Sequence, residues 1–169
     1  IKVMLSVMLE VVNDFPDYQF VVAGAPNQDE AFYREFIKQE NVHLLLNKTY
    51  DLLSVSYAAL VTSGTATLET ALYKIPEVVC YKGSRISYEI AKRVIKLKYI
   101  SLVNLILDKE VVTELIQTDF NKSRLKEELT KILDDYKRAT LFLDYYDLEK
   151  KLGGKGASEK TASLIVTSL

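Results

Sequence analysis

Cysteine and histidine are scarce in this sequence of 169 residues, which holds one of each, Cys80 and His43. A single thiol cannot close a disulfide within the chain, so a disulfide-stabilised secreted scaffold is excluded and a reducing compartment is expected. A structural zinc site needs a cluster of cysteine and histidine ligands, and the sequence has none. Because His43 lies inside a predicted strand, we favour a packing role for it over a catalytic one.

Several motifs that mark phosphate chemistry are also missing from the sequence. There is no Walker A motif, no Gly-x-Gly-x-x-Gly, and no Asp-x-Asp, the carboxylate pair that holds a metal against a nucleotide diphosphate. We therefore expect no metal and no cofactor. The 22 basic and 23 acidic residues give a formal net charge of −1, so the chain as a whole has no electrostatic attraction to nucleic acid.

Long hydrophobic runs are absent as well. The longest uncharged run, residues 52–68, has 17 residues that include six serines or threonines and a glycine, whereas a membrane-spanning helix needs about 20 mostly apolar residues. No secretory signal is visible. The first residues already follow helical spacing without an initiating methionine, so we interpret the sequence as a fragment whose functional site lies partly outside it.

What the sequence does contain is an alternation of short apolar strands and helices. Strands are predicted at residues 18–23, 42–46, 59–62 and 77–81, and helices at 1–14, 30–39, 50–56, 65–73, 84–97, 111–116, 122–135, 137–152 and 158–166. The strands are continuously apolar rather than alternating, which is typical of a parallel sheet covered on both faces. The sequence therefore predicts one α/β domain, a doubly wound parallel sheet.

The most informative segment is the start of the helix that follows the third strand, at Ser63, Gly64 and Thr65. In open α/β sheets ligands bind at the carboxyl ends of the strands, and a helix N-terminus there suits phosphate. Gly64 allows close backbone approach, Thr67 adds a hydroxyl, and Glu69 lies one turn later, where it can accept from a ribose diol. The alternative is an ordinary helix cap with Glu69 as a surface acid, and the local pattern leaves it open.

A basic stretch, Lys82–Lys98, carries a net charge of +5, against −6 for the rest of the chain. An apolar stripe of Ile86, Ile90 and Val94 lies beside its cations. A basic amphipathic helix of this kind can contact an anionic membrane or an anionic ligand, and the alternative is a solvated surface helix. The glycines at 153, 154 and 156 are interpreted as a linker.

Two ordered segments, Ser63-Gly64-Thr65-Ala66-Thr67-Leu68-Glu69 and, after Pro76, Val78-Val79-Cys80-Tyr81-Lys82, resemble the lipid-A-disaccharide synthase family. The C-terminal half of that family shows the pattern S-G-T-A-T-L-E, a helix, P, then V-V-x-Y-[RK]. The similarity continues in order through residues 91–96, 99–102, 104–105, 114–117 and 157–162. It covers roughly the whole chain and is densest from 62 to 117.

The resemblance implies a fold and an activity. The family is a two-domain glycosyltransferase of the GT-B type with paired Rossmann-like halves, and it joins UDP-2,3-diacylglucosamine to 2,3-diacylglucosamine 1-phosphate with release of UDP. The chain would then be one nucleotide-sugar-binding domain, residues 1–169, with a closing helix at 157–169. Its first strand and phosphate loop, and the half with the acceptor site and the catalytic acid/base, are expected upstream of Ile1. No catalytic residue is therefore expected in this chain.

The resemblance also assigns site residues. The implied UDP-binding residues are Ser63, Gly64, Thr65, Glu69, Lys82, Arg85 and Tyr50. Among these, Glu69 is expected on the ribose and the two cations on the diphosphate. The loop Asn47–Asp51, which contains Tyr50, is expected near the uracil. Asn104 and Gln117 match polar positions that face the cleft.

The implied partners are the UDP-sugar lipid donor, the monosaccharide lipid acceptor, the remaining domain and a membrane surface, with a homo-oligomer left possible. Since both substrates carry acyl chains, we expect the protein on the cytoplasmic face of the bacterial inner membrane, with Lys92, Arg93 and Lys96 facing the membrane. One alternative is another UDP-N-acetylglucosamine enzyme of the same fold, a peptidoglycan glycosyltransferase or a 2-epimerase. A receiver-like regulatory module is disfavoured, because the strands that end at Ala23 and Thr62 carry no aspartate.

Overall fold

The computed structural model describes residues 1–84, 98–154 and 156–168. Within them the strands are β1 (Phe20–Gly24), β2 (Val42–Leu46), β3 (Ala59–Thr62), β4 (Glu77–Tyr81) and β5 (Thr113–Ile116). The helices are α1 (Lys2–Leu9), α2 (Glu30–Arg34), α3 (Thr49–Val55), α4 (Thr65–Leu72), α5 (Leu102–Leu107), α6 (Lys122–Leu133), α7 (Asp135–Leu152) and α8 (Ala157–Thr167), with a 3-10 turn at Val12–Asp14. The basic helix predicted at 84–97 lies outside the described residues but for Ser84, and with it lie Arg85, Lys92, Arg93 and Lys96.

All strand pairs are parallel, and they form two groups, β1–β2 and β3–β4–β5. Phe20 lies opposite Val42, Ala59 opposite Glu77, and Val78 opposite Thr113. Parallel neighbours need crossover connections, and α2 and α4 supply two of them. The predicted α/β fold with parallel sheets is confirmed.

The main core surrounds β4. Four consecutive residues of this strand, Glu77 to Cys80, are buried, and since neighbouring strand residues point to opposite faces, both faces are covered. Helix α4 contacts β3 and β4, while α6 contacts β4 and β5. The largest fully buried side chains include Tyr145 of α7 and Phe120, which precedes α6.

Helix α1 joins this core to a second one under β1 and β2. Met4 belongs to the main core, whereas Leu5 and Leu9 pack with Tyr33 and Val42 in the second. The two cores also share the partly buried ring of Phe20 at the start of β1. The two groups of strands are therefore held together by side-chain packing, although they do not pair.

One predicted helix is wrong: residues 111–116 contain β5, which pairs with β4. The run V-V-T-E-L-I is rich in β-branched and apolar residues, which favour a half-buried strand over a helix. The sequence did not predict helix α5, which lies between β4 and β5 along the chain. Its start is capped by Ser101, whose Oγ accepts a hydrogen bond from the N–H of Asn104 at 3.3 Å.

The edge of β1 that faces away from β2 has no strand beside it in the described part of the chain. The N–H of Phe20 donates to the carbonyl of Asn41 beside β2, at 2.9 Å. Main-chain groups of a parallel strand point alternately to the two sides, so Val22 also faces β2. Val21 and Ala23 consequently present their N–H and C=O groups to the opposite side.

Strand β3 has an equivalent open edge, with no neighbour among the described residues on the side away from β4. The N–H of Ala59 donates to the carbonyl of Pro76 at 2.9 Å, which directs Val61 to β4 as well. The main-chain groups of Leu60 and Thr62 point away from β4. Two parallel strands thus each carry an unpaired edge.

The last helix, α8, stands apart from the cores. Gly153, Gly154 and Gly156 before it all have positive φ angles, of 81°, 67° and 99°. Its apolar residues Leu164 and Val166 are each 72% exposed. Among the described residues, no helix combines the length and apolar character that crossing a membrane requires.

Candidate functional site at the strand ends

The carboxyl ends of β3, β4 and β5 lie side by side because the three strands are parallel and in register. The N–H of Ser63 donates to the carbonyl of Cys80 at 3.1 Å, and the N–H of Gln117 donates to that of Tyr81 at 2.8 Å. The residues that follow the strands, Ser63, Lys82 and Gln117, are therefore brought to one edge of the sheet. This is the edge where α/β sheets bind their ligands.

Helix α4 begins at this edge with an open N-terminus. Its N-cap is Gly64, so no side chain caps the first turn, and both Gly64 and Thr65 are exposed. Gly64 has φ 153° and ψ −162°, a conformation that is essentially restricted to glycine. Apart from its two chain neighbours, no described residue would lie within 4 Å of a Cβ at Gly64. Unpaired N–H groups and the positive end of the helix dipole suit an anion.

The hydroxyl groups of Ser63, Thr65 and Thr67 differ in whether they already donate a hydrogen bond within the chain. Ser63 Oγ donates to the carbonyl of Ile100 at 3.1 Å, and the buried Thr67 Oγ1 donates to that of Gly64 at 2.8 Å. Thr65 is exposed, and its hydroxyl has no hydrogen bond to any described residue. Of the three, Thr65 is the hydroxyl donor left for a ligand.

Glu69, one turn into α4, lies beside Tyr50 at the start of α3. The Glu69 carboxylate raises the pKa of the Tyr50 phenol by its charge and by accepting its hydrogen bond. Tyr50 is 58% exposed and stacks on Tyr73, with the ring centroids 6.0 Å apart and 17° between the planes. The structure therefore brings two predicted residues, Tyr50 and Glu69, into one cluster next to an exposed aromatic face.

Lys82 directly follows β4 and is exposed. No acidic group of the described residues forms an ion pair with it. Its predicted companion Arg85 lies outside the described residues. Lys82 is thus a positive charge that is available at the strand ends.

Asn104 and Gln117 differ from each other in their surroundings. Asn104 is fully buried, and its side-chain amide hydrogen bonds to other residues of the chain. Its Oδ1 accepts from the N–H groups of Val111 and Val112 at 2.8 and 3.0 Å, and its Nδ2 donates to Glu114 at 2.9 Å. It can act on a ligand only through the residues that it holds. Gln117 lies at the edge in a left-handed conformation with φ 53°, and its buried Nε2 has no hydrogen-bond partner in the described part of the chain.

Sequence reasoning missed Glu114 as a structural centre of this region. Its carboxylate accepts from the N–H groups of Ile100 and Ser101 and from the Asn104 amide, each at 2.9 Å. The available signal was a lone acid within the apolar run V-V-T-E-L-I, which needs partners wherever it is buried.

The candidate site at the strand ends includes the exposed residues Gly64, Thr65 and Lys82. Two shallow hollows of about 370 and 420 Å³ lie elsewhere, one lined by Arg34, Ile37 and residues 42–44, the other by residues near Asn13 and Asn41. Neither hollow is lined by Lys82 or by the first turn of α4, so we place the candidate site at the strand ends. No group of three His, Cys, Asp or Glu side chains suited to a metal occurs in the described part of the chain.

A sequence model of the family described as lipid-A-disaccharide synthetase matches residues 1–166. The chain belongs to this family. It is similar to proteins named lipid-A-disaccharide synthase from Syntrophus aciditrophicus, Geobacter sulfurreducens and Nitrosococcus oceani, with 36%, 30% and 33% identity. These alignments cover 99%, 99% and 100% of this chain but 45%, 44% and 45% of the relatives. The chain thus spans less than half the length of these members of the family. The alternatives, a peptidoglycan glycosyltransferase, a 2-epimerase and a receiver-like module, are not favoured.

Proposed function

We propose that this chain is the donor-binding domain of a lipid-A-disaccharide synthase. In that reaction a diacylglucosaminyl group passes from UDP-2,3-diacylglucosamine to 2,3-diacylglucosamine 1-phosphate, and UDP leaves. Membership of the family supports the proposal. The observation that carries it is the open N-terminus of α4 beside the unpaired Lys82 at the ends of β3 and β4.

The diphosphate of the donor would lie in front of α4. The first N–H groups of the helix and the free Thr65 hydroxyl donate to its oxygens, and Lys82 supplies positive charge. Arg85, which follows on the chain, is proposed as the second cation. Negative charge grows on the UDP oxygens as the sugar bond breaks, and these groups stabilise that charge without having to rearrange.

The nucleoside would lie over α3 and the rest of α4. Glu69 accepts hydrogen bonds from the two ribose hydroxyls, in exchange for the bond that it takes from Tyr50 in the free protein. The stacked pair Tyr50 and Tyr73 offers an exposed ring face for the uracil. Gln117, with an unpartnered amide at the same edge, completes the polar lining that we propose.

We further propose that a parallel strand from outside the described residues lies between β1 and β3. In a parallel sheet a helix connects neighbouring strands in a right-handed crossover, so the strand before α1 would lie beside β1, over which α1 packs. The phosphate loop after that strand would come to the same edge as Ser63. The acceptor site and the catalytic acid/base belong to the other half, so this chain alone is expected to bind donor without transferring sugar.

The membrane contact and the location stay predictions. Acylated substrates require work at a bilayer surface, and we propose the cytoplasmic face of the bacterial inner membrane. Lys92, Arg93 and Lys96 are the proposed contacts in this chain, on sequence grounds, because they lie outside the described residues. Association of copies also stays a prediction.

Titration of the full-length protein with UDP tests the donor site. Glu69→Ala removes a charged acceptor worth about 1.5–3 kcal/mol, which corresponds to a rise in the Kd for UDP of roughly 10- to 100-fold. Glu10→Ala, which removes an exposed acid at the end of α1, is the matched control and should leave the Kd unchanged. Equal affinities of Glu69→Ala and the unmodified protein would show that Glu69 is only a surface acid.

A further inference from the structure

The carboxylate of Glu114 on β5 organises the chain next to the donor site without belonging to it. Its Oε2 accepts from the N–H of Ile100, and its Oε1 accepts from the N–H of Ser101 and from Asn104 Nδ2, each at 2.9 Å. Ser101 and Asn104 are fully buried. All three partners are N–H donors, and an ionised carboxylate can only accept hydrogen bonds, so each donor has a suitable acceptor.

The same peptide connects Glu114 to the proposed site. The carbonyl of Ile100 accepts the hydroxyl hydrogen of Ser63 at 3.1 Å, and on the other side the Ser63 N–H is held by the carbonyl of Cys80 at 3.1 Å. Ser63 is therefore fixed from two directions, immediately before Gly64 and the open turn of α4. Only one of these two supports belongs to the sheet, and the other depends on where Ile100 is held.

We propose that Glu114 is a positioning residue for UDP binding, which acts through Ile100 on Ser63 and so on the first turn of α4. The inference rests on the proposed function of that turn. The turn must present its N–H groups in one arrangement before the ligand arrives, and a misplacement of about 1 Å in such a site can cost about 100-fold. Glu114 stabilises this arrangement from β5, one strand beyond the cation at Lys82.

A double-mutant cycle in the full-length protein tests the proposal, with the Kd for UDP as the readout. Glu114→Gln keeps the shape of the side chain but turns an NH2 group toward N–H donors in either orientation of the amide. Residues within one hydrogen-bond network couple strongly, and we expect Glu114→Gln to raise the Kd about tenfold. In a Ser63→Ala background the same change should add little, because the link to α4 is already cut.

Glu110→Gln is the matched control, since it removes the charge of an exposed acid four residues away, and it should leave the Kd unchanged. A similar loss from Glu114→Gln in both backgrounds would overturn the proposal in favour of general destabilisation. An unchanged Kd in Glu114→Gln, with weaker binding in Ser63→Ala, would overturn it and leave the proposed function standing. Failure of the unmodified protein to bind UDP would overturn the proposed function and this inference together.

If Glu114→Gln does not fold, hydrogen exchange in the unmodified protein decides the question. UDP should slow the exchange of the Ile100 and Ser101 amides, which hydrogen bond to Glu114 and not to the ligand. The amide of Leu129, in the buried middle of α6, provides the reference for a general change in stability. Slowing at all three amides alike, or at none, would overturn the proposal.

Discussion

Glu77, the first residue of β4, is a fully buried acid whose two carboxylate oxygens have no hydrogen-bond partner among the described residues. Burial raises the pKa of this carboxyl well above its usual range. Its charge would also raise the pKa of two buried neighbours, Cys80 and Tyr145, in addition to the effect of their own burial. The folded protein therefore favours the neutral, protonated form of Glu77.

Glu77→Met should stabilise the full-length protein at neutral pH. The unfolded chain releases the Glu77 proton near its ordinary pKa of 4.5, so the stability that this group contributes is complete below that pH and is lost as pH rises toward the higher folded pKa. Each unit of that difference is worth about 1.4 kcal/mol, and each kcal/mol shifts the melting temperature of a domain this size by about 2–4 °C. The gain from Glu77→Met should thus be larger at pH 7.5 than at pH 4.

Glu128 provides the contrast for this measurement. It is also buried, but its carboxylate lies 2.8 Å from Lys131 Nζ and 3.2 Å from Arg124 Nη2, and it accepts from the Thr113 hydroxyl at 3.1 Å. Glu128→Met should lower the melting temperature at pH 7.5, because it leaves these donors without their acceptor. A loss of stability in Glu77→Met of the same size would mean that Glu77 has a partner after all.

For individual residues, the sequence predicted where the candidate site lies better than it predicted what each side chain binds. Ser63, Gly64 and Glu69 were predictable because a strand that runs into a glycine and a helix is a local pattern. The roles of Asn104 and Glu114 were not, because the groups that their side chains bind are seven to fourteen residues away and meet them only in the folded chain. Periodicity describes which side of an element is apolar, and it contains no information on which donor a buried acceptor will find.

Elements with strong local signals were predicted with their bounds. Strands β2, β3 and β4 agree to the residue, because each is a short apolar run between turn residues. Strand β5 was mistaken for a helix because it is a four-residue strand whose identity depends on pairing with β4. Such a short run satisfies the helical and the extended pattern equally well, so only the tertiary contact decides.

The first turn of α4 needs a glycine at position 64 because of the backbone conformation there, and not because a larger side chain would clash. Gly64→Ala should weaken UDP binding by about 5- to 150-fold, since the conformation at Gly64 costs a non-glycine residue about 1–3 kcal/mol and the turn would have to move. Gly154→Ala is the control, because Gly154 also has a positive φ, 67°, but lies in the segment before α8. Equal loss of affinity in both variants would argue against a ligand site at α4.

The basic stretch Lys82–Lys98 should bring the protein to anionic membranes. Each cation near such a surface contributes about 1 kcal/mol, and salt screens the attraction within a Debye length. Sedimentation of the full-length protein with anionic vesicles should fall in Lys92→Glu/Lys96→Glu and at high salt. The control pair Lys38→Glu/Lys160→Glu makes the same change in net charge at exposed positions. An equal decrease in sedimentation with this pair would mean that overall charge, and not the basic stretch, causes the binding.

At the scale of the whole molecule, the main departure from a continuous sheet is that β1 and β3 each have one edge without a neighbouring strand among the described residues. A row of free N–H and C=O groups along a strand is a template for another strand. The sequence predicted parallel strands but not their division into two groups, because the order of strands in a sheet is a property of the assembled chain. Because α1 packs against both cores, we propose that the two edges are sides of one gap.

Hydrogen exchange measured by NMR should detect the strand that fills this gap. In the chain of 169 residues alone, the amides of Val21, Ala23, Leu60 and Thr62 should exchange quickly, and in the full-length protein they should be protected. The amides of Val22 and Val61 point at β2 and β4 and should be protected in both proteins. Equal exchange of all six amides in the full-length protein and in the chain alone would contradict the proposed central strand.

The proposed central strand also affects the order in which the strands can pair while the protein is being synthesised. A strand that precedes α1 leaves the ribosome before all five described strands, so the middle of the sheet would be available first. Strands β1 and β2 would then add to one of its edges, and β3, β4 and β5 to the other. If the sheet forms outward from its central strand, each new strand can pair with one that is already ordered. Apolar strand edges would then be exposed for a shorter time during synthesis.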